Sequence, residues 1–545
     1  MSTKYVQAKY STPTIKFECP LDANSVILET NRDYVYDLAS IPKCVKNIKF
    51  GDNFNQIIDK NTLPSGLLLI EFGFFFNQQI DEEVLPTGIQ SIQFGHNFNQ
   101  IIKKDVLPSG IQSIQFGHNF NQLIKKDVLP SGLQSIQFGN CFNQLIEKDV
   151  LSSKLQSIHF GCLFNQLIEK DVLPAEIKSI KFGHNYNQII DKNVLPSGLL
   201  SIQFGLKFDQ IIKEDILPSG LKSIKFGHNY NQIIEKNVLP SELQSIYFEK
   251  NFIKLVKNDV LPIGLQTILF GNYFNDRINK NILPSGLKSI IIGNSFNQSI
   301  EKDVLPLGLQ SIQFGCIFNR LITKDVLPSG LQSIQFGNNF NKIIEKNVLS
   351  SGLQSIQFGY DFNQPIEKGV LPAGLRSIIF GHNFNQSIRR DVLSSELQSI
   401  QFGHNFNQGI EKYILPTGLQ TIYFGNQFDK PIKNISKKTK IYLWRVPKKE
   451  TRNYTLCRIH RSQLEDLDLN SSDIYTSKIN NQLLYMIDIL VIKPNINKEK
   501  ISKLMKENME LMQANLELMS NYMISMTNSM ELMHENMKLI TKYMD

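Results

Sequence analysis

The side chains with the greatest chemical potential in this chain are six histidines. His96, His118, His184, His228, His382 and His404 recur at one position of a 22-residue period. His96 and His118 are one period apart, as are His382 and His404. If successive periods stack, each pair lies within about 5 Å, close enough to share a metal ion. The same position also holds Cys162, Leu206, Asn294 and Cys316, and no carboxylate accompanies the pairs. That composition reads as a tolerant surface column, so no metal site is expected. Nucleophile and phosphate motifs are missing too: there is no P-loop, GxSxG, HExxH or Rossmann glycine set. The six cysteines, Cys19, Cys44, Cys141, Cys162, Cys316 and Cys457, form no CxxC pair and read as reduced thiols. The chain is expected to be no enzyme and to carry no cofactor.

The elements that would position these side chains come from the period itself. Leu-Pro recurs at Leu63-Pro64, Leu85-Pro86, Leu107-Pro108 and onward to Leu415-Pro416, with Leu-Ser at Leu151, Leu349 and Leu393. The aromatic of Phe-Asn recurs from Phe54 to Phe428 at 18 positions, two of them Tyr186 and Tyr230. A fixed period without insertions means a solenoid, because an extra residue would throw the stacked columns out of step. In the unit beginning at Leu85, the alternation of Ile92, Gln93 and Phe94 predicts a short strand with Ile92 and Phe94 inward. The following Gly95 is expected to supply a turn, and Phe98 and Ile102 to fill the coil. Asn99 is Asn in 15 of the 18 rows and is expected to hydrogen-bond turn backbone. Pro108 would close the coil on its outer side.

The Leu-x-x-Ile-x-Phe core resembles the leucine-rich repeat. The full unit, with Phe-Asn-x-x-Ile and Leu-Pro, resembles the FNIP repeat family across about Ile41 to Ile432. The resemblance implies a mainly β, leucine-rich-repeat-like solenoid that binds proteins, of the kind found in social amoebae and in giant viruses of amoebae. Some such proteins carry an F-box or a kinase domain. Residues 1–40 lack an F-box-like Leu-Pro-x-Glu helix start, so a substrate-recruiting adaptor of the ubiquitin-ligase type is an alternative that requires an F-box-like helix of another sequence there. The domain reading is an N-terminal cap at 1–40, a solenoid at 41–432, a C-terminal cap and basic linker at 433–495, and a helix at 496–545. Within the linker, residues 433–445 read as a degenerate coil, with Ile441 and Trp444 where the repeat places Leu and Ile.

After Pro494 the period changes. Met505, Met509, Met512, Leu516, Met519, Met523, Met526, Met530, Met533, Met537, Ile540 and Met544 are spaced alternately four and three apart. That is the a/d seam of a coiled coil over more than five heptads. It predicts a self-associating helix and hence a homo-oligomer.

The net charge of +8 is local. Between Lys433 and Arg461 ten basic residues and one acid give +9, leaving about −1 elsewhere. The centre of this patch is Lys437, Lys438, Lys440, Arg445, Lys448, Lys449 and Arg452. It could tether nucleic acid or an anionic membrane, an alternative to a solvated linker. The solenoid itself is expected to lack a basic column. Its outward strand positions read Gln93, Gln115, Gln137, then Tyr247, Leu269, Ile291, then Gln313. Tyr247, Leu269 and Ile291 are the candidate partner-binding residues, since exposed apolar clusters mark interaction sites. Met1 to Ser11 contains no apolar signal core, and no segment offers the ~18 uncharged apolar residues of a membrane span. An intracellular location is expected, cytoplasmic and, for a viral protein, in the host cytoplasm.

Overall fold

The computed structural model describes residues 35–254, 257–430, 435–436 and 438–445, with short strands at Thr14–Ile15, Ser25–Leu28, Thr455–Ile459 and Thr476–Ser477. Each period is one coil. Proline opens it: its fixed φ suits a tight turn, and the Pro86 carbonyl accepts the Ile89 N–H at 3.2 Å. A three-residue strand follows, such as Ser91–Gln93, whose central Ile is buried while Gln93 faces out. Phe98 then closes a turn by donating to the Gly95 carbonyl at 3.1 Å. Eighteen strands from Asn47–Phe50 to Thr421–Phe424 pair in parallel, each residue opposite its equivalent in the next coil.

The ends follow the same lattice. Ser25–Leu28 pairs with Asn47–Phe50, placing Val26 opposite Ile48 and Leu28 opposite Phe50, so the N-terminal cap contains a strand in full register. At the other end Lys440–Arg445 pairs with Thr421–Phe424, with Ile441 opposite Ile422 and Leu443 opposite Phe424. This corrects the expected register. Ile441 takes the Ile position and Leu443 the Phe position, because the connection into this strand is three residues shorter than a full coil. Thr455–Ile459 then pairs antiparallel to Lys440–Arg445 and covers the edge that a further parallel coil would use.

Seven apolar columns fill the interior, including those of Val106, Leu107 and Ile124. Ile111, Ile114, Phe116 and Phe120 are typical, all at most 3% exposed. The two aromatic columns form ladders, both interrupted between Phe252 and Phe270 and the strand-side one also at Ile292. Rings of the strand-side column (Phe94, Phe116, Phe138) lie 5.4–5.9 Å apart, and those of the second column (Phe98, Phe120, Phe142) 6.1–6.2 Å apart. Adjacent coils therefore splay away from the strands, which makes the strand face the concave one.

Two columns act between coils, in ways the sequence reading assigned to turns. The glycine after the strand does not need a left-handed backbone. A Cβ on Gly117 would lie 1.7 Å from the Gly95 oxygen, so the coils can approach only where both lack side chains. The repeated Asn bonds the neighbouring coil: Asn99 Oδ1 accepts the Asn121 N–H at 2.9 Å, and Asn121 Oδ1 accepts that of Asn143 at 2.9 Å. A glutamine reinforces each rung, as when Gln122 Nε2 donates to the Asn99 carbonyl at 3.1 Å. A third recurrent feature was not anticipated. Each coil from Asn61 to Tyr413 has one residue at φ between 60° and 83°, and it is Asp or Asn except at Glu83, Gly369 and Tyr413. These side chains tolerate that conformation because they can bond their own backbone.

One interface departs from the lattice. Glu249 replaces the glycine and Ile253 replaces the Asn of the same coil. Ring stacking reaches Phe248 and Phe252 and resumes at Phe270 and Phe274, with no stacking between these pairs among the described residues. A Cβ on Gly271 would stand 2.3 Å from the Glu249 oxygen, against 1.6–1.9 Å for most glycines of the column, so this coil stands further off. The Asn ladder also misses a rung, since Ile253 has no side-chain acceptor for the next coil.

The heptad residues Met505 to Met544 lie outside the described residues, as do Lys437, Lys448, Lys449 and Arg452. Among the described residues, no helix is long and apolar enough to cross a membrane.

Candidate interaction surface

The strand face presents one outward side chain per coil, held by parallel pairing at a spacing of about 4.8 Å. That pairing brings the three candidate docking residues together: Tyr247 lies opposite Leu269, and Leu269 opposite Ile291. All three are half-buried, packed side by side on the face. The patch overlies the irregular interface. Glu249, beside Tyr247, receives Lys225 Nζ at 2.9 Å and His228 Nε2 at 3.3 Å.

Toward the N-terminus the same column reads His159, Lys181, Gln203 and Lys225, in register with Tyr247. Lys178 and Lys222 flank it on the outward position before the strand. The expectation that the solenoid lacks a basic column therefore needs correcting locally. Net charge over the solenoid averages out, but pairing places these four lysines on one face within three coils. Lys222 is bound to Glu242 at 2.7 Å and Lys225 to Glu249, whereas Lys178 and Lys181 have no acidic partner among the described residues. His159 reports this environment. Burial, then the nearby Lys181 and His184, pull its pKa from 6.5 down to about 4. His184 is lowered as well, by burial and then by Lys181 and His228.

The histidine column forms ring stacks. Phe74, His96 and His118 stack at 4.2 and 4.4 Å, and Tyr360, His382 and His404 at 4.3 and 4.6 Å. His96 Nδ1 lies 3.0 Å and His118 Nδ1 2.9 Å from the Oδ1 of the following Asn, an arrangement in which Nδ1 carries the proton. The ring planes are within 11° of parallel, so the in-plane lone pairs run side by side and do not converge on one ion. The geometry is that of packing. A groove of about 710 Å³ lined by Asn341, Asn363, Asn385 and their neighbours is likewise built from amides already engaged between coils.

Sequence reasoning missed one surface. In the Gln-Ile-Ile segment only the second aliphatic enters the core; the first is 44–62% exposed in every coil from Ile101 to Ile233. Its signal was available, since consecutive residues in an extended segment point to opposite sides. Of the basic segment, Lys440 and Arg445 sit on the last parallel strand, opposite Thr421 at one end and Thr455 at the other.

The FNIP Repeat family model matches consecutive and overlapping windows from residues 37–75 to 406–436. Among solved structures, the chain is similar to CroV588, described as a novel circular LRR protein. It is 32% identical over 82% of this chain and 81% of that one, with a TM-score of 0.68. The Toll receptor of the Drosophila Toll–Spatzle complex shares the fold at 13% identity, 84% and 78% coverage and a TM-score of 0.51. No curated protein sequence matches the chain.

Proposed function

The chain belongs to the FNIP repeat family, and on that premise we propose that it is a non-catalytic protein-interaction scaffold. In this reading the solenoid docks a protein on its strand face, and the C-terminal heptad segment multiplies the docking face by oligomerisation. The observation that carries the docking half is the register pairing of Tyr247, Leu269 and Ile291. Three apolar side chains stand side by side in an otherwise mostly polar column, with Lys225 paired on one side and Gln313 on the other. A purely structural column has no need to change character there, because outward side chains do not fill the core. Leu269→Gln with Ile291→Gln introduces the residue that Gln313, Gln335 and Gln357 carry in the same column, so the fold is expected to hold. A protein that copurifies with the wild type should be lost from this variant with circular dichroism unchanged. Equal recovery would remove the patch from the reading.

The assembly half rests on the uninterrupted 4,3 spacing from Met505 to Met544. Methionine packs adaptably in such a seam and leaves the number of strands open. Oligomerisation would convert weak docking into avid binding through effective concentration. Light scattering after size exclusion tests it. An oligomeric full chain and a monomeric chain ending at Asn495 are expected. Two equal masses would dissociate the heptad segment from assembly.

A further inference from the structure

We infer, resting on that docking reading, that the strand column from His159 to Ile291 takes a two-part protein segment, acidic at one end and apolar at the other. The column is one continuous feature of seven coils, paired residue to residue from His159 through Lys181, Gln203, Lys225 and Tyr247 to Leu269 and Ile291. Six strand spacings make it about 29 Å long. Its two halves differ in chemistry, and the positive charge that is free to act is confined to one end. Lys178 and Lys181 are exposed and unmatched by any described acid, whereas Lys222 and Lys225 are already paired with Glu242 and Glu249.

Charge complementarity decides the partner's chemistry. Lys178 and Lys181 stand without a described acidic partner, so carboxylates brought there would meet uncompensated positive charge; His159 and His184 beside them are lowered first by burial and then by Lys181. Glu242 and Glu249 stand at the boundary with the apolar half, so a polyanion running the whole column would meet repulsion midway. The apolar half is aliphatic at Leu269 and Ile291 and offers no run of aromatic platforms for bases. Carboxylates at one end and aliphatic side chains at the other satisfy both halves. From Lys181 to Leu269 is four spacings, about 19 Å. The acidic and apolar clusters of the partner are therefore separated by about six residues if extended, or about thirteen if helical.

Fluorescence anisotropy on the full chain tests this with three labelled synthetic peptides. The first carries four glutamates, a polar spacer of matching reach and three leucines. The second replaces the glutamates by glutamine, and the third replaces the leucines by serine. The first should bind roughly fivefold to tenfold more tightly than the second at low salt, converging at high salt as screened pairs do. Lys178→Gln with Lys181→Gln should erase that difference and leave the second peptide unchanged. Leu269→Gln with Ile291→Gln should weaken both. Equal affinity of the first two peptides for the wild type overturns the two-part inference. The docking reading then survives if the Leu269 and Ile291 variant still weakens both. Binding of none of the peptides, or binding indifferent to all four substitutions, overturns the inference and the docking reading together. A single-stranded oligonucleotide that displaces the first peptide at lower concentration than the peptide itself assigns the basic half to phosphate and overturns the inference.

Discussion

Asn121→Ala isolates one rung between two coils. Asn121 Oδ1 accepts the Asn143 N–H at 2.9 Å and Gln144 Nε2 at 3.1 Å, while the Asn121 backbone N–H keeps its own bond to Asn99 Oδ1. Alanine leaves the Asn143 N–H facing a half-buried gap without an acceptor. An orphaned backbone donor costs about 1–3 kcal/mol, and partial access of water here puts the expectation near the lower end. Asn121→Asp keeps the acceptor, and the lattice already contains the precedent: Asp209 accepts the Asn231 N–H at 2.9 Å. Because each coil touches only its neighbours, the loss should stay local. Hydrogen exchange by mass spectrometry should show the Asn143 amide opening about 5–30 times faster in the alanine variant, with coils beyond Phe182 unchanged. The aspartate variant should match wild type. If alanine and aspartate behave alike, or if protection falls evenly along the solenoid, the rung is not what couples the coils.

The remaining expectations concern pH and backbone shape. His159 holds a pKa of about 4 in the folded chain against 6.5 when free. Between those values the unfolded chain takes up the proton and the folded chain does not, so acidification from pH 6.5 to 4 should erode stability. His159→Gln, which introduces the residue of the preceding row, Gln137, should flatten that slope in denaturant titrations; parallel slopes would refute the assignment. Asp149 sits at φ 63°. Asp149→Val should lower stability by about 1–2 kcal/mol, since a β-branched residue resists the left-handed region, while Asp149→Gly should be close to neutral. Equal melting of the two variants would contradict it.

The period, the strand at Ser91–Gln93 and both aromatic columns were legible in the sequence because each follows from alternation and from stacking in register. What was misread acts across 22 residues. Gly117 and Asn121 looked like turn residues, yet their partners, Gly95 and Asn143, belong to adjacent coils. No local pattern distinguishes the two roles. The final strand was placed one column off because the connection before Ile441 is shortened, and a strict period carries no warning of that. The docking trio was readable as a change in one column. The unmatched lysines were not, because Lys181 and Lys225 differ in consequence only once it is known that Glu249 reaches Lys225.

The irregular coil at Glu249 and Ile253 has a mechanical meaning. In a linear array of coupled units, cooperativity extends only as far as the couplings stay strong. Here one interface lacks its ring stacking, its close glycine contact and its side-chain rung, while strand pairing from Tyr247 to Leu269 persists. Denaturant or pulling force should therefore part the solenoid there first, yielding two blocks that unravel separately. Tyr247 lies on one block, Leu269 and Ile291 on the other. A ligand gripping all three would splint the break, and its affinity could be read as a rise in unfolding force.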